Sequence, residues 1–150
     1  MKAKVKKSPK ASRPVIGWRE WVALPDLGIA AVKAKVDTGA KTSSLHAFDV
    51  EVFRERGKRR VRFKVHPTQK NSSYTISAVA DLHDLRIVRD SGGKETLRPV
   101  ILTRVFVGSL ELDIELTLAS RDTMGFRMLL GRQAMRGSKA VVDPLRSFIS

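Results

Sequence analysis

The chain has no cysteine. Disulfides and thiolate metal sites are excluded, so 150 residues must bury one core without covalent staples, in keeping with a reducing compartment. No apolar run approaches membrane-spanning length. A glycine-rich phosphate loop followed by Lys and Ser or Thr is missing, as is a His-Glu-x-x-His pair, which removes the usual sequence basis for nucleotide binding and for a helix-borne zinc site. Only three histidines occur, His46, His66 and His83. Their scatter favours no metal, and a three-histidine site is kept only as an alternative.

Acidic residues are also few, 15 against 29 Lys and Arg, for a net charge of +14. Residues 1–14 contain no acid and supply six cations, Lys2, Lys4, Lys6, Lys7, Lys10 and Arg13, leaving +8 for the rest. With no apolar run, this stretch reads as a disordered basic arm rather than a signal peptide or membrane span, ahead of one domain over 15–150. The default location is the cytoplasm. Such a positive field favours polyanionic partners: nucleic acid, ribosomes or an acidic peptide.

What is present is short strands. Val15 to Leu24 and Ile29 to Val36 flank a turn at Pro25-Asp26-Leu27-Gly28. Ser43 to Arg54 reads as one strand with Phe48, Val50 and Val52 on an apolar face. A turn at Gly57-Lys58 leads to Val61, Phe63 and Val65, which alternate with Arg60, Arg62 and Lys64, so this hairpin has a strongly basic face. Tyr74 to Ala80 is a further strand after a polar loop over Pro67 to Ser73. Leu85 to Val107 forms a longer hairpin with its tip at Asp90-Ser91-Gly92-Gly93-Lys94. Leu110 to Leu118 is the cleanest alternation in the chain, and its outer face is acidic through Glu111, Asp113 and Glu115. Phe126 to Leu130 stops at Gly131, Arg132 to Arg136 is long enough only for a short helix, and Ala140-Val141-Val142 is interrupted by Pro144. The pattern predicts a small all-β barrel or sandwich.

Asp37-Thr38-Gly39-Ala40 lies between two of these strands, which puts the acid on a tight loop. Gly39 lets the backbone turn beside the carboxylate without a Cβ clash, and Thr38 has a hydroxyl with which to fix the loop. Together with Leu129-Leu130-Gly131-Arg132 far downstream and the glycine-tipped hairpin between them, this motif resembles the retroviral-type aspartic proteases. The resemblance implies a closed barrel with a flap hairpin and one short C-terminal helix. It also implies that Asp37 is catalytic, that the hairpin with Gly92 and Gly93 at its tip covers substrate, and that the second motif packs an apolar strand behind the catalytic loop. Aspartate-catalysed peptide hydrolysis needs two carboxylates sharing one proton, and the chain offers one Asp-Thr-Gly. Asp37 must therefore meet Asp37 of a second chain in a homodimer, with Val15 to Ala23 and Ala140 to Val142 as further interface, unless it works with Lys41 or His46 of its own chain.

Residues 35–47, Lys-Val-Asp-Thr-Gly-Ala-Lys-Thr-Ser-Ser-Leu-His-Ala, and the run Leu97-Arg98-Pro99-Val100 resemble more closely the bacterial RimB-type family, labelled "ATP-dependent zinc protease" and associated with the glutamate ligase RimK. That resemblance implies a peptidase acting on poly-glutamate added to the C-terminus of a small-subunit ribosomal protein; the residues themselves give no basis for a cofactor, and a zinc-dependent peptidase is the alternative. After Asp-Thr-Gly-Ala the retroviral pattern commonly has an acid that pairs with the later arginine; here Lys41 stands there. Lys41 and Arg132 then either share an anion, naturally an acidic substrate side chain, or Lys41 points to solvent while Arg132 caps a carbonyl. Lys41, Arg132, His46 and Arg98 are the expected substrate-recognition residues. The rival from another class is a non-enzymatic basic module that binds ribosomal RNA through the Arg54 to Lys64 hairpin and the arm, although that basic face lacks interleaved aromatics.

Overall fold

Alternating side chains become a barrel. The computed structural model describes residues 13–68, 74–89, 92–120 and 126–150. Residues 1–12 of the expected arm, 69–73 of the expected polar loop, and Asp90 and Ser91 of the expected hairpin tip lie outside the described residues. The described strands are β1 (Val15–Leu24), β2 (Ile29–Asp37), β3 (Ser43–His46), β4 (Phe48–Glu55), β5 (Lys58–Val65), β6 (Ile76–Asp81), β7 (Asp84–Arg89), β8 (Glu95–Val107), β9 (Leu110–Ala119), β10 (Met128–Gly131) and β11 (Val141–Ser147). One short helix, α1 (Arg132–Ser138), follows β10. The main sheet runs β11-β1-β2-β10-β3-β9-β8-β7, and a β1–β8 pairing at Ala23 and Phe106 closes six of its strands into a barrel. A second antiparallel sheet, β4-β5-β6, packs Val61, Phe63, Val65 and Ala78 into the same core as the barrel residues Val32, Leu45, Ile101, Leu116, Met128 and Leu130. Each fully buried side chain of this kind contributes roughly 1.5–3 kcal/mol over leaving it in water. Among the described residues no helix is long and apolar enough to cross a membrane.

Several expectations need correction. Ser43 to Arg54 is two strands, because the chain leaves the barrel at Ala47 and joins the small sheet, with Asp49 at φ +51°. The expected apolar face of β4 is not buried: Val50 and Val52 are exposed, and β4 is an outer strand with β5 as its sheet neighbour among the described residues. The β4–β5 turn sits one residue earlier than expected, at Arg56 and Gly57, both with positive φ as a two-residue hairpin of this hand requires. Its basic face is largely compensated. Arg60 pairs with Glu55 and Asp81, Arg62 with Glu51, and Lys64 with Asp49, while one aromatic, Phe53, lies 4.0 Å beneath Arg62. The acidic face of β9 is likewise engaged: Glu115 receives both guanidinium NH groups of Arg86 at 3.1 and 2.9 Å and contacts His83, pinning the β7–β8 hairpin to the barrel.

The terminal strands pair with each other inside the chain. β11 runs parallel to β1, with a register shift around Pro144, and Pro14 accepts a hydrogen bond from Val141. Gly17 allows this closeness, because a Cβ there would lie 2.5 Å from the Arg146 carbonyl oxygen. Glu20, buried in β1, accepts hydrogen bonds from the backbone N–H of Gly17, Ile149 and Ser150. Burial pushes its pKa upward, but those donors and the Ser150 hydroxyl outweigh it and hold the carboxyl below its ordinary value. A depressed carboxyl stabilises the fold above its unfolded value and loses that contribution as pH falls through the folded one. Glu20→Gln is therefore expected to cost roughly 2 kcal/mol near neutrality. Its stability gap from the unmodified protein should narrow below about pH 4.5, which urea titrations across pH 3–7 would read.

Candidate active site

The loop carrying Asp37 is shaped by strand order. β2 and β3 are consecutive in sequence but not neighbours in the sheet; β10 lies between them, parallel to β2 with Gly131 opposite Asp37 and antiparallel to β3. Residues 38–42 must therefore cross over the point where β10 becomes α1. At that crossing the helix leaves its first N–H groups without intrahelical acceptors, and the loop supplies them. Arg132 N–H donates to the Ala40 carbonyl at 2.9 Å and Gln133 N–H to the Lys41 carbonyl at 3.1 Å. Gly131 N–H donates to the Ser43 hydroxyl at 3.1 Å. A side chain at Gly131 would collide with the loop, since its Cβ would sit 2.5 Å from the Thr42 carbonyl carbon.

Asp37 ends β2 and is half-buried. One carboxylate oxygen, Oδ1, accepts the Gly39 N–H at 3.0 Å, and the Asp37 carbonyl accepts the Ala40 N–H at 3.2 Å. A Cβ on Gly39 would lie 3.2 Å from Oδ1, so glycine is what lets the loop close this tightly on the carboxylate. Oδ2 has no hydrogen bond among the described residues. No second carboxylate of the described residues hydrogen-bonds Asp37 or its loop.

The expected recognition residues separate. Arg132 turns its guanidinium onto the loop, donating from NH1 to the carbonyls of Thr38 at 3.2 Å and Gly39 at 3.3 Å. Of the two arrangements considered for it, this is the carbonyl cap, and Arg132 braces the Asp37 loop. Lys41 is exposed beside it and engages α1 through its backbone. The Thr38 side chain is exposed, and it is the Thr38 carbonyl that ties the loop down. His46 is 5% exposed in β3, its N–H donating to the Arg127 carbonyl at 2.8 Å. Arg98 lies on the β8 arm of the β7–β8 hairpin, its Nε donating to the Thr96 hydroxyl at 3.1 Å. Gly92 and Gly93 are exposed at the described end of that hairpin, Gly93 at φ +86°.

Ser43, which the sequence marked only as the start of a strand, was missed. Its partner is 88 residues away, and no local signal marks that pairing. A cavity of about 390 Å³ opens behind this crossing, lined by Ser43, Gln133, Ala134, Thr103 and Ile114, among others, and it includes neither Asp37 nor Thr38. The three histidines do not gather: His66 contacts the Tyr74 carbonyl and the Thr75 hydroxyl, and His83 contacts Glu115. Among the described residues, no group of three His, Asp or Glu is placed to hold a metal ion.

Comparison with known proteins adds three findings. The RimB-like family, described as retropepsin-like aspartic endopeptidase RimB, matches residues 15–150. Probable alpha-L-glutamate ligases of Desulfotalea psychrophila and Shewanella pealeana are 43% and 42% identical over 91% and 89% of this chain. The match covers 29% of each of those proteins, so the chain spans under a third of their length. A crystal structure of a Legionella pneumophila protein of unknown function superposes with a TM-score of 0.75 at 29% identity, covering 92% of this chain and 98% of that one.

Proposed function

The chain belongs to the RimB-like family of retropepsin-like aspartic endopeptidases, and on that basis we propose that it hydrolyses acidic peptide, in particular the glutamate tail that a RimK-type ligase adds to a small-subunit ribosomal protein in the cytoplasm. The observation that carries the chemistry is the Asp37 loop, with Oδ1 held by Gly39 and the loop backbone clamped by α1 and Arg132. Two such loops facing across a two-fold axis supply the pair of carboxylates. One, ionised, takes a proton from water; the other, protonated, donates to the scissile carbonyl. The two titrate as a coupled unit. Since β1 already has sheet partners on both sides, strand addition by a second chain uses the outer edge of β11, where Val141 and Leu145 are exposed, Leu145 at 91%.

The glutamate ligase names of the longer relatives fit a hydrolase that removes what a ligase builds. The match covers under a third of those proteins, so their names assign no ligase chemistry to this segment. The net charge of +14 favours capture of a polyanionic peptide. Sedimentation should find a dimer at micromolar concentration, and activity per chain on an oligo-glutamate peptide should fall on dilution below the dimer dissociation constant. A monomer that keeps full activity at every dilution would overturn the shared site. Loss of activity with EDTA and recovery with Zn²⁺ would favour the zinc-dependent alternative.

A further inference from the structure

Part of the positive charge of this protein is paired with carboxylates and part is not. Arg60, Arg62, Lys64, Arg86, Arg89 and Arg104 each lie within 4 Å of a carboxylate. Arg19, Lys33 and Lys35 have no such partner among the described residues, and all three sit on the outer face of β1 and β2. Along β2, Val32 and Ala34 point into the core, so Lys33 and Lys35 point outward, and the two-residue period puts Asp37 on their side. Arg19 is directly opposite Lys35 across the strand pair, and Trp21 is opposite Lys33. Like charges directly opposite one another destabilise a strand pair. Among the described residues two other such pairs occur: Arg86 opposite Arg98, where Arg86 has two carboxylates, and Arg54 opposite Arg59, beside the solvent-facing turn of β4–β5.

Aromatic rings hold two of these three cations, Arg19 and Lys33, without cancelling their charge. The Arg19 guanidinium lies 4.6 Å from the Trp18 ring centre and 5.1 Å from that of Phe148, with Nε donating to the Ser147 hydroxyl at 3.0 Å. Lys33 Nζ is 5.5 Å from the Trp21 ring. Such contacts fix the direction of a cation and leave it available to an anion.

We propose that Lys35 with Arg19, and then Lys33, form an anion track leading away from Asp37 that binds the carboxylates of an extended acidic peptide at alternate positions. Same-face positions on a strand repeat at about 6.8 Å, and an extended peptide presents its own alternate side chains at the same repeat. The track rests on the peptidase reading above and names its specificity determinants, in place of the Lys41 and Arg132 pair.

The full chain carrying Asp37→Asn, titrated into a fluorescein-labelled oligo-glutamate peptide at low salt, reads binding without turnover. Adding Lys35→Met should weaken Kd about threefold to fivefold, Lys35→Glu about tenfold or more, and Lys35→Arg should restore it. Relief of the like-charge pair should raise the Tm of the unliganded Lys35→Met protein by about 1–3 °C, a gain that a merely structural lysine would not give. In the chain with Asp37 intact, peptides alternating Glu and Gln in the two possible registers should differ, one cleaved like the all-Glu peptide and the other like the all-Gln peptide. An unchanged Kd with Lys35→Glu, or equal cleavage of the two registers, overturns the track. So does a single-stranded RNA that binds more tightly than the peptide and depends on the same lysine. If no peptide is cleaved at all, the peptidase reading fails, and the binding titration still decides the track.

Discussion

Asp37→Asn is expected to lower kcat about a thousandfold while folding and association stay as they are, because general acid–base transfer is worth about 10²–10⁴ in rate. The amide is nearly isosteric, and its oxygen can still accept the Gly39 N–H that Asp37 Oδ1 now takes at 3.0 Å. What it cannot do is exchange the proton. If the site is shared, a second effect follows. Asp37→Asn chains exchanged with an equal amount of unmodified chains should leave about a quarter of the dimers with both carboxylates, so activity should fall to roughly that fraction rather than to half. Circular dichroism and sedimentation check the first part, and the mixing curve the second. A folded Asp37→Asn protein with full activity would remove the aspartate mechanism. A linear mixing curve would make each chain an independent site.

Gly131→Ala is expected to be the most damaging small substitution. Its Cβ would lie 2.5 Å from the Thr42 carbonyl carbon, 2.6 Å from the Thr42 oxygen and 3.0 Å from the Lys41 oxygen. All three are backbone atoms, so no side-chain rotation relieves the clash, and the loop must move away from β10. Strain of this kind costs about 3 kcal/mol, or roughly 10 °C in Tm for a chain of this size. The same displacement shifts Asp37, and a misplacement of about 1 Å costs on the order of 100-fold in rate. Gly137 is the control. Nothing lies within 4 Å of a Cβ there, and alanine in α1 should be neutral or stabilising by up to about 1 kcal/mol. Thermal melts and initial rates on the two variants decide the matter. A Gly131→Ala protein with unchanged Tm and rate would mean that the loop crosses with room to spare.

Strand positions were readable because a half-buried strand writes its orientation into a two-residue repeat. Leu112, Ile114, Leu116 and Leu118 are buried as their alternation requires, and the Arg132 helix begins where the apolar run stops at Gly131. The same repeat failed at Ser43 to Arg54, because alternation shows which residues share a face and not which sheet the face belongs to. Charge patterns were weaker guides. The basic face of β5 was visible, but the acids of β4 and β6 that meet it come from strands whose register only the folded sheet sets.

The residues alone were enough for the class of fold, the absence of disulfide or thiolate-metal support, and the placing of Asp37 where a strand gives way to a turn. These are local properties: side-chain period, residue chemistry and the short reach of Asp-Thr-Gly. It took the folded chain to show that β10 passes between β2 and β3, that Arg132 spends its guanidinium on the Thr38 and Gly39 carbonyls, and that Arg19 faces Lys35, two residues before Asp37. Each depends on residues dozens of positions apart or on strand register. Register is set by the packing of a whole sheet, which no single stretch of chain encodes.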